Sequence, residues 1–183
     1  MESLGYNRRM ENKALLNINK KVPDFSLLDL SGNSHALRDY KGQIVIVNFW
    51  SAECPWSQRS DEQIIQYLQQ WGPEVQYLPI ATNANESLAL IQEVAKTRQL
   101  ALILHDPDHS AADLFGAITT PHIFVIDTEG NLRYQGGFDD VTFRQPEPTT
   151  NYLYRAVEAL RAGNLPTPAE TLAYGCTIVR VSL

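Results

Sequence analysis

The stretch Ile44-Val45-Ile46-Val47-Asn48-Phe49-Trp50, followed by Ser51-Ala52-Glu53-Cys54-Pro55, decides the fold. Its first seven residues are apolar toward both faces of an extended chain, the pattern of a central strand in a sheet covered on both sides. A turn of three residues then leads to Cys54-Pro55. Pro55 suits the first turn of a helix, where its missing N–H is harmless. Ile64, Ile65, Leu68 and Trp71 follow at helical spacing until Gly72-Pro73 stops the helix.

Downstream, Val75 to Ala81 reads as the next strand. Asn83-x-x-Glu86 has the form of a capping box and starts a second helix, in which Leu88, Ile91, Val94 and Ala95 share a face. Leu102-Ile103-Leu104 is a third strand, and Ser110-x-x-Asp113 caps a short helix ending at Gly116. His122 to Asp127 and Leu132 to Gln135 form a hairpin around Thr128-Glu129-Gly130-Asn131. The loop from Phe138 to Thr150 precedes a last helix marked by Leu153, Ala156, Val157 and Leu160 and ended by Gly163. Upstream, Asp24-Phe25-Ser26-Leu27 and Ser34-His35-Ala36-Leu37 flank Ser31-Gly32-Asn33 as an N-terminal hairpin. Parallel strands with helical crossovers imply an α/β sheet with helices on both faces. Residues 1–21 read as a loose arm contributing little to the core, 22–165 as one domain, and 166–183 as a tail carrying Cys176.

The 183 residues are 44% hydrophobic and 20% charged, a composition that suffices for a core without metal or disulfide staples. The longest aliphatic run, Ile44 to Val47, is far short of the ~18 to 20 residues of a transmembrane helix, so no membrane partner is expected. Net charge is −6, and the only basic doublets are Arg8-Arg9 and Lys20-Lys21, which argues against nucleic acid. The first twenty residues lack a signal peptide's apolar core, and the expected compartment is the cytoplasm.

Two cysteines, Cys54 and Cys176, are too few for a disulfide framework. Cys54 sits where a buried strand gives way to a helix. The free N–H groups and positive dipole end of that helix favour the thiolate, the form that attacks disulfides, peroxides and electrophiles. Open α/β sheets place their ligands at such points. Cys54 is therefore the candidate nucleophile, against the alternative of an inert buried cysteine.

Pro23-Asp24-Phe25, Leu37-x-x-Tyr40-x-Gly42, Asn48-Phe49-Trp50-x-x-x-Cys54-Pro55, Thr120-Pro121-His122-Ile123-Phe124-Val125-Ile126-Asp127 and Gly130-Asn131-Leu132 resemble the redoxin, or peroxiredoxin-like, branch of the thioredoxin-fold superfamily, the alkyl hydroperoxide reductase and thiol-specific antioxidant group. The tail from Pro166 to Val179, with Gly175-Cys176-Thr177-Ile178, is similar to one that recurs there. The resemblance implies a thioredoxin-like fold with a central mixed sheet, Cys54 as active-site cysteine and Pro121 as a cis-proline facing it, with Thr120 beside it at the substrate. It implies a thiol-disulfide oxidoreductase or antioxidant activity without a cofactor.

Departures from that pattern shape the chemistry. A two-cysteine motif needs a second cysteine at position 57, where Ser57 stands; Ser57 either donates to the thiolate or is simply polar in the first helical turn. Asn48 occupies the place of the buried carboxylate of thioredoxins and cannot do acid-base work. Glu86 aligns with an acidic residue of related membrane-anchored thiol oxidoreductases, but reads here as the closing half of the Asn83 capping box. Ser51-x-x-Cys54 resembles the peroxide-binding motif of peroxiredoxins, yet Val47 and Pro121 replace the proline and arginine that would complete it, so peroxidase activity is the weaker alternative. A metal site would need a cysteine at Gln58 and is not expected. Trp56 is the tryptophan placed to contact a partner, whereas Trp50 and Trp71 fit the core, and His122 reads as a satisfied strand histidine.

The expected partners are protein or small-molecule thiols and disulfides; the oligomeric state is not legible. A redox-silent peptide-binding module using the groove between Trp56 and Pro121 is the alternative from another class. Without a cysteine at position 57, a mixed disulfide at Cys54 must be released by glutathione, by another protein, or by Cys176. The tail after Pro166 and Pro168 is long enough to bring Cys176 to Cys54; against that, Ile178, Val179, Val181 and Leu183 read as a strand docked on the domain, which pins Cys176 away from the site as a buried hydrophobe.

Overall fold

In the computed structural model, which describes residues 16–180, the apolar run is a strand, β3 (Ile44–Trp50), no residue of which is more than 5% exposed. β4 (Val75–Ala81) pairs with it in parallel on one side and β7 (His122–Ile126) antiparallel on the other. Beyond β4 lie β5 (Leu104–His105) and the hairpin of β1 (Ser26–Asp29) and β2 (Ser34–Ala36); beyond β7 lies β8 (Leu132–Gly136). The order β2-β1-β5-β4-β3-β7-β8 makes a mixed sheet, as expected, with β3, β4 and β5 parallel.

Alternation along β3 divides the core. Ile44 and Ile46 meet Ile64 and Trp71 of α1 (Pro55–Trp71) and Leu153, Ala156 and Val157 of α4 (Tyr152–Arg161). Val45, Val47 and Phe49 meet Ala111, Ala112 and Phe115 of α3 (Ser110–Phe115) on the opposite face. Ile91 and Ala95 of α2 (Leu88–Thr97) pack with Trp50 and Ala81. Each such aliphatic side chain stabilises the fold by about 1.5–3 kcal/mol, so the end of β3 is a firm platform for the loop that follows. No helix among the described residues is long and apolar enough to cross a membrane.

Four expectations need correction. The second helix starts at Leu88 rather than at Asn83, because Ser87 caps it by accepting the Leu90 N–H (3.2 Å); Glu86 is thereby free for another task. The short third helix is capped not by Ser110 but by fully buried Asp106, which accepts the N–H groups of Ala111 (3.0 Å) and Ala112 (2.9 Å) and the hydroxyls of Ser110 and Thr82. Of the expected N-terminal arm, Leu16 and Ile18 pack against the core, while residues 1–15 lie outside the described residues. The tail strand is β9 (Cys176–Thr177), earlier than expected; Val181 and Leu183 lie outside the described residues.

Asp106→Ala strands these buried donors and is expected to cost about 2–3 kcal/mol, read as a lower urea midpoint at unchanged slope. Asp106→Asn, which retains one acceptor oxygen, should recover part of the loss.

Candidate active site

Cys54 is the N-cap of α1, with Pro55 in the first turn. The loop before it is built by its own polar groups. The Cys54 N–H donates to the Ser51 hydroxyl oxygen (3.1 Å), and the Ser51 hydroxyl donates to Glu86. The Glu86 carboxylate, 6% exposed, also accepts the N–H groups of Ala52 (3.1 Å) and Glu53 (3.0 Å). Glu86 therefore holds the loop that presents Cys54, where the sequence favoured a helix cap.

A second buried network supports the loop from behind. Arg98, at the end of α2, donates to the Ala52 carbonyl (2.6 Å) and to Asp61 of α1 (3.0 Å), with its guanidinium 5.5 Å from the Trp50 ring centroid. The Trp50 indole N–H donates to the same Asp61 oxygen (3.0 Å). Burial pushes the Asp61 carboxyl up to about 6, against the pull of Trp50 and Arg98. Asp61 is thus a buried carboxylate on α1 behind the loop, while Asn48 donates to the Tyr77 hydroxyl (2.8 Å).

The expected site residues converge. The Thr120–Pro121 peptide bond is cis, in the turn between β6 (Thr119–Thr120) and β7. The Cys54 thiol donates to the Thr120 carbonyl (3.0 Å). β9 lies antiparallel to β6, with Thr120 opposite Cys176, and this pairing sets the Cys54 and Cys176 sulfurs 2.8 Å apart. Both are free thiols in the structure. The tail strand brings Cys176 to Cys54 instead of pinning it elsewhere.

Electrostatics make the two sulfurs unequal. Burial works to raise the Cys54 thiol, but hydrogen bonding from Cys176 and Thr120 and from the backbone N–H groups of Ser57 and Cys176 outweighs it, and the net shift is downward. Cys176 is pushed up to about 12 by burial, by its hydrogen bond to Cys54 and by the negative charges of Cys54 and Glu86. The two shifts run in opposite directions, so Cys54 gives up its proton before Cys176 does. Ser57 contributes through its backbone; its hydroxyl oxygen accepts the Ser51 N–H (3.3 Å). The Ser51 hydroxyl is committed to Glu86 and is not presented to a peroxide beside the sulfur.

Trp56, next along α1, stands edge-on to Tyr174 (5.2 Å between centroids) and Phe143 (6.0 Å). Trp50 and Trp71 are core residues. His122 packs against Phe124, its Nδ1 buried without a partner, so it is not the satisfied histidine expected. Among the described residues, no three His, Cys, Asp or Glu side chains gather as a metal site.

Known proteins resemble this chain in sequence and in fold. Thiol-disulfide oxidoreductase ResA of Geobacillus thermodenitrificans is 28% identical over 125 residues, 66% of this chain and 70% of its own. The crystal structure of a hypothetical protein from Sinorhizobium meliloti superposes with a TM-score of 0.83 at 25% identity, covering 92% of this chain and 97% of that one. The thioredoxin domain of a thiol-disulfide oxidoreductase from Bacteroides vulgatus shares the fold, with a TM-score of 0.62 at 20% identity over 79% of this chain and 98% of that one. The fold is thioredoxin-like. The family model for AhpC/TSA proteins matches residues 18–135, from just before the N-terminal hairpin through Cys54, Glu86 and Pro121 but short of the tail, and the chain belongs to the AhpC/TSA family.

Proposed function

We propose that the protein is a thiol-disulfide oxidoreductase whose catalytic couple is Cys54 and Cys176. The observation that carries this reading is the 2.8 Å approach of the two sulfurs at the N-terminus of α1, and the downward shift of the Cys54 thiol against the upward shift of Cys176 agrees with it. The names of the related oxidoreductases support the same class of reaction.

The Cys54 thiolate attacks one sulfur of a substrate disulfide, forming a mixed disulfide and expelling the other sulfur as a thiolate. That step removes the negative charge from Cys54. The charge was one of the groups holding the proton on Cys176, after burial and the hydrogen bond, so Cys176 ionises more readily once the mixed disulfide exists. The Cys176 thiolate then attacks the Cys54 sulfur and releases the second substrate thiol. The substrate gains two electrons, the chain ends as a Cys54–Cys176 disulfide, and an external dithiol or two thiols restore it. Cys54 and Cys176 react, whereas Ser57, Thr120 and Pro121 position the sulfur and Trp56 lines the approach.

The test is the pH dependence of Cys54 alkylation by iodoacetamide, followed by mass mapping. The rate should inflect below the free-thiol value of about 8.5 and move upward in Cys176→Ala, which loses the hydrogen bond to the thiolate. An inflection at or above the free value would overturn the reading. Peptide mapping of the oxidised monomer should find Cys54 joined to Cys176.

A further inference from the structure

Cys54 is 2% exposed, and the chain's own tail covers it: β9 lies on the β6 edge with its cysteine against the Cys54 sulfur. Exchange requires the attacking sulfur to approach along the axis of the disulfide it cleaves. A partner cannot present its disulfide in that line while β9 is in place. Substrate entry therefore vacates the Thr119–Thr120 edge, and a bare strand edge takes up another extended segment through its free N–H and C=O groups.

The contacts of the departing strand define what fits there. One residue before the cysteine is Gly175, where a Cβ would fall 2.1 Å from the Thr120 carbonyl oxygen and 3.1 Å from the Pro121 ring. Glycine alone passes that point with the strand pairing intact. Two residues before the cysteine, Tyr174 stands edge-on to Trp56 and to Phe143 (5.2 and 5.7 Å), and its hydroxyl oxygen accepts the Phe143 N–H (3.1 Å). Phe143 is 86% exposed, so this aromatic shelf is open from the solvent side. Two residues after the cysteine, Ile178 is 5% exposed in the cluster around Phe115, and its N–H donates to the Ile118 carbonyl (3.1 Å). Thr177 between them is exposed and selects nothing.

We propose that the β6 edge, with the Trp56–Phe143 shelf and the slot of Ile178, is the docking site for an extended cysteine segment of a partner protein with the pattern aromatic, glycine, cysteine, any residue, aliphatic. The proposal rests on Cys54 being the nucleophile. The partner segment replaces β9, and the Cys54 thiolate attacks its cysteine sulfur, which is held in a disulfide; the former partner sulfur leaves as a thiolate. The segment then yields the edge to β9, and Cys176 attacks the Cys54 sulfur and releases the segment's cysteine as a thiolate. The tail and the substrate compete for one edge, the substrate for the first exchange and the tail for the second.

The test uses full-length Cys176→Ser protein, which stops at the mixed disulfide, and end-blocked peptides whose cysteine is joined to thionitrobenzoate. Release of thionitrobenzoate reports the rate. Tyr-Gly-Cys-Thr-Ile should react about tenfold or more faster than Tyr-Ala-Cys-Thr-Ile, whose Cβ meets the Thr120 carbonyl, and than Ala-Gly-Cys-Thr-Ala, which leaves shelf and slot empty. Adding Gly175→Val, which forces the tail off the edge, should raise the rates of all three peptides. The mixed disulfide of glutathione and thionitrobenzoate measures Cys54 without engaging the strand edge. If it reacts while the three peptides react equally, the docking site is overturned and the nucleophile stands. If neither it nor any peptide reacts, with or without Gly175→Val, both fall together.

Discussion

Cys176→Ser will separate the two halves of the reaction. The first exchange persists, because Cys54 keeps its place at the N-terminus of α1 and the backbone N–H groups of Ser57 and residue 176. The second loses its thiol. Steady-state turnover with a disulfide substrate should fall at least ~100-fold at about 1 mM external thiol, since a positioned intramolecular group acts at a far higher effective concentration. One equivalent of mixed disulfide at Cys54 should accumulate, visible by mass. Cys54→Ser, by contrast, should form no mixed disulfide at all. Unchanged turnover in Cys176→Ser would mean that an external thiol resolves Cys54 and that the 2.8 Å approach of the sulfurs has no part in catalysis.

The difference between what the sequence reveals and what only the fold reveals follows from the range of the interactions. β3, α1, β4 and α4 announce themselves by local periodicity, and the Cys54-Pro55 junction locates the nucleophile from adjacent residues alone. Cys176 is 122 residues away, and no local pattern says that its strand lands on Thr120 rather than elsewhere on the sheet. Asp61 is hidden in the sequence for a different reason. It follows Ser57 and Ser60 on the buried face of α1 at the spacing of core residues, ahead of Ile64. Polar residues at core positions of an amphipathic helix are a signal that something polar lies behind them, here the Ser51 N–H behind Ser57 and Trp50 and Arg98 behind Asp61. Glu86 carries two competing signals. Asn83-x-x-Glu86 satisfies the capping pattern, yet Ser87 also can cap, and the carboxylate gains more from the three donors of the loop before Cys54.

That competition sets the largest stability effect expected of a single site residue outside the hydrophobic core. Glu86→Ala removes the common acceptor of the Ser51 hydroxyl and the Ala52 and Glu53 N–H groups, in a place where water has little access. Each buried donor left without a partner costs about 1–3 kcal/mol, and Glu53 is exposed enough for its N–H to recover some hydration, so the sum should be about 3–4 kcal/mol. Glu86→Gln keeps one acceptor oxygen and removes the charge, so it should lose roughly half as much by the same reasoning. The two variants also separate structure from chemistry. The Glu86 charge helps keep the proton on Cys176, behind the larger effects of burial and of Cys54. In Glu86→Gln, resolution of a preformed Cys54 mixed disulfide should therefore reach its half-maximal rate at lower pH than in the parent protein, measured by single-turnover release of the substrate thiol. A resolution profile unmoved in Glu86→Gln, alongside the stability loss in Glu86→Ala, would confine Glu86 to holding the loop.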